Sequence, residues 1–409
     1  MEVLFSHPNF PGQFRRIAHA FTQVPGLTVY GVGDEEWIKS HNREGVDGVN
    51  LITYPAPAKS EKKDAIHPYA RNYDDAVRRA EAVLATLAAH KVRGFEPDVI
   101  FAHPGWGDAF YLRDIFPGAR IIGLFEYYYR ARGADLGFDP EFPSKLDDLF
   151  RVRSLNATQL IALDSCDSGF CPTAWQRSRF PEVWQQKLGV LHDGIDTEAV
   201  KPNPDMVIEL GNGTVLRAGD EVLTYVSRNF EPYRGYHTFM RALPAIMAAR
   251  PDCQVILAGG DDVGYGPPPQ EGSYRDKYLE EVQGRLDMSR VHFTGHLAYD
   301  NFVRLMQVSR LHVYLTYPFV LSWSMLEAMS AGCLVLGSAT PPVEEVITDG
   351  VNGLLTPFHS ATMLADRAIA ALANPERYAG LRQAARQTII DRYDFKTVSL
   401  PAYLRLLHS

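Results

Sequence analysis

Between Thr316 and Ser338 the chain reads TYPFVLSWSMLEAMSAGCLVLGS, and the apolar run Leu311–Leu315 precedes it. A β-rich segment, a short loop, a helix opening at Ser324-Met-Leu-Glu327, a glycine stop at Gly332 and a second apolar run, Leu334–Gly337, make a βαβ unit. Parallel strands cannot be joined by a tight turn, so this crossover commits the chain to an α/β sheet. The loop entering the helix offers unsatisfied N–H groups and the positive end of the helix dipole, which suit a phosphate. Glu327 lies one turn further on, where a carboxylate reaches a sugar hydroxyl beside such a phosphate. The spacing Ser324-x-x-Glu327 equally fits a capping box, in which the carboxylate returns to the N-cap N–H, and the two roles are compatible.

Both halves of the 409-residue chain alternate short apolar strands with helical stretches, the pattern of doubly wound sheets. In the first half strands are expected at Glu2–Ser6, Leu27–Gly31, Val99–His103, Arg120–Phe125, Leu160–Leu163 and Gly189–Leu191, with a helix over Tyr73–Lys91 and a surface excursion over Pro55–Pro68. The pattern restarts at Glu221–Ser227 and continues with strands at Gln254–Gly259, Val291–Thr294, Leu311–Leu315, Leu334–Gly337 and Gly353–Thr356. Helices are expected at Tyr236–Arg250 and Tyr274–Leu286. A chain of this length exceeds what one core serves, so two domains are expected, residues 1–190 and 191–393, joined near Leu191–Pro204. The stretch Asp394–Ser409 is expected to be a helix packing back on the first domain.

A net charge of −8 excludes a general nucleic-acid binder. No stretch of 18 apolar residues exists to span a bilayer, and MEVLFSHPNF lacks the basic start and apolar core of a secretory signal. A cytoplasmic protein is therefore expected. Cys166, Cys171, Cys253 and Cys333 are too few and scattered for a disulfide scaffold and are read as free buried thiols. GxSxG, HExxH and Walker A signatures are absent, which sets aside serine-elbow hydrolases, zincins and P-loop kinases.

Several strand-end loops carry candidate chemistry. Arg228 ends one strand and Arg234 precedes the next helix beside Gly235, two cations suited to a diphosphate. Phe5–Arg16 places the Pro11-Gly12 loop after the first strand without a GxGxxG fingerprint. In His103-Pro-Gly-Trp-Gly107, Trp106 is either a core anchor or a platform for a sugar ring. Glu126, followed by Tyr127, Tyr128 and Tyr129, suits carbohydrate binding, as it equally suits tyrosines packing on a helix.

From about Val222 to Pro357 these segments resemble the donor domain of family 4 glycosyltransferases, which share the two-domain GT-B fold. YVSRNFEPYRG resembles that family's phosphate element, SMLEAMSAGCLVLGS its LLEAMACGxPVV run, and EEVITDGVNGLLTP its E-x-I-x-D-G-x-N-G ending. HDGIDTEAV resembles the linker element, and VHFTGHL resembles the segment receiving the nucleobase. The resemblance implies two Rossmann-like domains facing across a cleft. It further implies a retaining, metal-independent transferase moving a sugar from a UDP- or GDP-type nucleotide sugar to a hydroxyl acceptor in polysaccharide or glycoconjugate synthesis, with no cofactor. Glu126, Arg228 and Arg234 would be catalytic. Glu327, Ser322, Trp323, Ser324, Phe319, Gly12, His296 and Leu297 would bind the donor, and His103, Trp106 and Tyr127 would face a carbohydrate, lipid-linked or protein acceptor. A lipid-linked acceptor would bring the protein to the inner membrane face.

Two departures stand out: Phe319 occupies the position of the first of the family's paired glutamates, eight before Glu327, and Glu126 replaces its usual histidine. The first departure also leaves room for a non-catalytic nucleotide-sugar-binding or scaffold module; a GT-B epimerase is the third reading.

Overall fold

The computed structural model describes residues 1–40, 45–58 and 65–408. These divide into two compact units: 1–137, 143–193 and 399–409 form the first, and 138–142 with 194–398 form the second. Expectation had put the division after residue 190 and given 394–409 to the first unit. The tail instead leaves the second unit at Val398, after a π-helical turn, Phe395–Ser399, and ends in a helix over Leu400–Leu406.

The first unit is built on seven parallel strands, β1 (Glu2–Ser6), β2 (Thr28–Asp34), β3 (Asn50–Tyr54), β4 (Val99–Ala102), β5 (Arg120–Leu124), β6 (Ser168–Cys171) and β7 (Leu188–Val190), in the order β3-β2-β1-β4-β5-β6-β7. β4 is buried at every position, as expected of a strand covered on both faces. A stacked Phe5–Phe101 pair, with centroids 5.2 Å apart, centres the core beneath the helix Arg15–Thr22. Tyr403 of the terminal helix, 2% exposed, closes this core against Phe101 and Phe170 at 6.1 and 5.4 Å.

The second unit begins with a small antiparallel pair, β8 (Val207–Glu209) and β9 (Val215–Arg217). Six parallel strands follow: β10 (Val222–Asn229), β11 (Gln254–Gly260), β12 (Val291–Gly295), β13 (Leu311–Tyr314), β14 (Leu334–Ser338) and β15 (Leu354–Thr356), ordered β12-β11-β10-β13-β14-β15. A five-residue strap from inside the first unit's stretch of chain is embedded here. Its Asp139 Oδ2 accepts hydrogen bonds from Tyr317 OH and His237 Nε2, both at 2.9 Å, while Glu141 pairs with Arg241 at 2.6 Å.

Strand order reverses between β1 and β4 in one sheet and between β10 and β13 in the other. Open α/β sheets bind ligands at such switch points, beyond the strands' carboxyl ends.

One expected strand is a helix. Leu160–Leu163 lies inside Ala157–Ser165, because a short apolar run is ambiguous between a buried strand and a buried helix face. The strand it displaced is the Gly-bearing β6, and β3, β8 and β9 were not foreseen. Of the Pro55–Pro68 excursion, residues 59–64 lie outside the described residues. All four cysteines are free and buried. Among the described residues no helix is long and apolar enough to cross a membrane.

Truncating Tyr403 to alanine should leave a cavity under β4 and β6, costing about 3–5 kcal/mol. The urea midpoint for the first unit's transition measures it.

Candidate functional site

In the first unit the loops leaving β1 and β4 bring two histidines together, with ring centroids 5.1 Å apart. The Asn9 N–H donates to His7 Nδ1 at 2.9 Å, which leaves the ring proton on Nε2, and Nε2 donates to Gln13 Oε1 at 2.8 Å. The Gly105 N–H likewise donates to His103 Nδ1 at 3.3 Å, so His103 Nε2 donates to Glu126 Oε2 at 3.2 Å. Gln13 Nε2 donates to the other carboxylate oxygen at 2.9 Å. Burial alone would raise the Glu126 pKa, yet the bonds from His103 and Gln13 hold it below the usual value. Burial and the neighbouring His103 drop His7 to about 3, keeping it neutral. Trp106 stacks on His103, centroids 4.5 Å apart at 27°, and stays 39% exposed.

Gly12 has φ +48°, and a Cβ there would fall 2.5 Å from His7 Nε2, so this glycine makes room for the imidazole. Tyr127 is buried, its hydroxyl donating to Asp135 at 2.8 Å and its ring set against Tyr129 and Trp175. Its side chain is thus engaged within the protein rather than open to a ligand. Gln13 and His7 were not singled out in the sequence, since nothing local shows that a loop glutamine meets a carboxylate 113 positions away.

In the second unit both sides of the β10/β13 crevice carry the expected residues. Arg228, at the end of β10, is exposed. Arg234 is buried, and its Nη1 donates to Tyr314 OH at 3.3 Å, Thr316 Oγ1 at 2.9 Å and the Val320 carbonyl at 3.1 Å. It therefore ties the β10 loop to the β13 loop. Gly235 follows at φ +69°, where a Cβ would lie 2.4 Å from Leu315 Cβ, so the close approach requires glycine.

The helix after β13 runs Trp323–Ser330 with Ser322 as N-cap, its Oγ accepting from the Ser324 N–H at 3.3 Å. The Tyr314 hydroxyl accepts from the Ser322 N–H at 2.8 Å. Since the cap is Ser322, the capping box from Ser324 to Glu327 does not form. Glu327, 4% exposed, instead takes a hydrogen bond from Tyr299 OH at 2.9 Å. Phe319 is buried edge-on to Tyr265 at 4.9 Å and Tyr233 at 5.5 Å. His296 is exposed over Gly260, and Leu297 packs on the core containing Met325 and Met329.

Glu231 was missed. It is fully buried between the two arginines in sequence, with Oε2 accepting from the Tyr265 N–H at 2.7 Å. Burial lifts it to about 7, against the opposing pull of that N–H and of Arg234. Its position three residues before Arg234 in EPYR was the available signal. The Gly260–Ser273 loop thus reaches the site through Tyr265, whose ring also lies 5.4 Å from the Arg234 guanidinium. Among the described residues no three His, Cys, Asp or Glu side chains are grouped to hold a metal ion.

Residues 35–200 match the family model described as Glycosyl transferase family 4 group, and residues 211–388 match Glycosyl transferases group 1. The phosphatidyl-myo-inositol mannosyltransferase of Mycobacterium tuberculosis is 30% identical over 193 residues, 45% of this chain and 46% of that protein. The glycogen synthase of the same organism is 24% identical over 183 residues, 45% of this chain and 41% of its own. The chain thus spans about half the length of the curated relatives it matches. The structure of sucrose-phosphate synthase from Thermosynechococcus elongatus superposes with a TM-score of 0.72 at 19% identity, covering 99% of each chain. Two adjoining glycosyltransferase models and this likeness identify the fold as GT-B.

Because its folded pKa is raised from 4.5, Glu231 leaves stability intact below pH 4.5 and withdraws it as pH rises toward 7. Glu231→Gln keeps an acceptor for Tyr265 N–H, and should abolish that decline, worth about 3 kcal/mol by pH 8. Denaturant melts of both proteins across pH 4 to 8 measure the difference.

Proposed function

We propose that the protein transfers a glycosyl group from a UDP- or GDP-type nucleotide sugar to a hydroxyl acceptor, with retention of anomeric configuration and without a metal ion. The observation carrying this reading is the β10/β13 crevice, where an exposed arginine, a buried one and a helix N-terminus converge in a unit matching Glycosyl transferases group 1. Such a crevice receives a diphosphate: Arg228 meets its oxygens, the positive end of the Trp323–Ser330 helix dipole favours its charge, and Arg234 holds both loops in place. Glu327, fixed by Tyr299, receives ribose hydroxyls, and the His296–Leu297 segment lies toward the base.

As the bond from the anomeric carbon to the phosphate oxygen lengthens, charge grows on the diphosphate. Donors already aimed there stabilise the transition state more than the ground state. Within the first unit, Glu126 is the carboxylate suited to accept a hydrogen bond from an acceptor hydroxyl. Phe319, Tyr233 and Tyr265 give the donor glycosyl an aromatic wall where the family resemblance calls for a carboxylate. The relatives named above act in polysaccharide and glycolipid synthesis by their names, which supports a glycoconjugate product.

Arg228→Ala should lower kcat/KM about 10²–10³-fold, the usual effect of removing one such donor, with the fold intact because Arg228 is exposed. Arg234→Ala should also lower the thermal midpoint, since three hydrogen bonds leave with it. Calorimetric titration with UDP and GDP checks the phosphate assignment, and undiminished binding by the double variant would refute it. Release of nucleoside diphosphate that depends on added acceptor separates a transferase from a non-catalytic module.

A further inference from the structure

We infer that the open face of Trp106, beside Glu126, is an acceptor subsite that takes a pyranose ring, so that the acceptor is itself a glycoside. The inference rests on the transferase reading above and names the acceptor's chemical class.

The indole is exposed, and the turn that carries it is closely packed. Pro104 opens its 3-10 turn and Gly107 closes it at φ +100°, where a Cβ would fall 2.2 Å from the Ala76 carbonyl oxygen, so the turn is wedged against the neighbouring helix. One face of Trp106 lies on His103, and His7 stands 5.4 Å away. With 39% of the residue still exposed, a fixed aromatic surface is left uncovered at the sheet's switch point. The C–H face of a pyranose fits such a surface. A simple lipid alcohol or a serine hydroxyl would leave it wet.

His103 is the shared neighbour, stacked on Trp106 and hydrogen-bonded to Glu126. The Glu126 side chain is 26% exposed and accepts two hydrogen bonds within the protein. A carboxylate has about four lone-pair positions, so capacity remains for sugar hydroxyls. A ring lying on the indole thus has an anionic acceptor at its rim, the usual pairing of an apolar wall with a few placed polar groups.

Glu126 is held ionised, so it orients the attacking hydroxyl and polarises it without keeping the proton. In the transfer, the acceptor oxygen bonds to the anomeric carbon while the bond from that carbon to the diphosphate oxygen breaks. The electron pair leaves with the diphosphate, whose oxygen finally takes the hydroxyl proton. His103 and Gln13 are positioning residues that keep the carboxylate charged and aimed.

Saturation-transfer NMR tests this with the methyl pyranosides of glucose, galactose and mannose, and with glycerol and 1-propanol as non-sugar alcohols, all in the presence of UDP or GDP. The expected result is saturation concentrated on the ring C–H protons of at least one pyranoside, well above that of the two alcohols. It should weaken at least tenfold in Trp106→Ala and persist in Trp106→Phe, which also serves if the alanine variant fails to fold. A wild-type protein that binds either nucleotide yet saturates no pyranoside overturns the inference, as does saturation unchanged by Trp106→Ala. A wild-type protein that binds neither nucleotide overturns the transferase reading itself.

Discussion

In each parallel sheet, one pair of neighbouring strands sends its crossovers in opposite directions, and between those two connections no helix covers the strand ends. That gap is a consequence of chain topology, and it decides where everything else stands. β1 and β4 frame it in one unit, β10 and β13 in the other. The residues with unusual electrostatics lie in the loops leaving those four strands or the strand alongside: His7 and Glu126 in one, Glu231 and Arg234 in the other.

The two glutamates show how little of a carboxylate's behaviour comes from burial alone. Glu126 meets two side-chain donors, one on each oxygen, and its pKa falls below the ordinary value. Glu231 is fully enclosed with a single strong backbone donor, and rises to about 7. Donor number and placement outweigh desolvation in the first case and lose to it in the second. Arg234 illustrates a related economy. Its guanidinium braces the loops through one nitrogen, so the loop after β13 is stiffened by a buried positive charge.

Period and punctuation carried the sequence reading furthest where helices and strands are long. Strand β10, the helix Tyr236–Ala249 and the β13-to-β14 unit were legible because apolar runs there end in glycine or charge. The reading failed at Leu160–Leu163, where four apolar residues satisfy a helix face as well as a strand, and at β6, whose Ser-Gly-Phe-Cys has too little β character to announce itself. Within the site, residues next to motif glycines were found, whereas Gln13, His7 and Glu231 were not. Their significance lies in partners distant in sequence or in burial, which no local pattern records. The N-cap was placed two residues late for a similar reason. Ser322 takes the cap because Tyr314 secures its N–H from the preceding strand.

The strap Phe138–Phe142 and the returning tail mean that the polypeptide passes between the units four times: after Gly137, Phe142, Asp193 and Val398. Neither unit is therefore a contiguous stretch of gene. A fragment ending near residue 193 would carry Phe138 and Phe142 without the aromatic neighbours they pack on, and would lack the tyrosine that seals its own sheet. Recombination at the apparent midpoint would exchange neither half cleanly. For a chain of this build, replacing the first unit in a chimera means transplanting three separated pieces of coding sequence together.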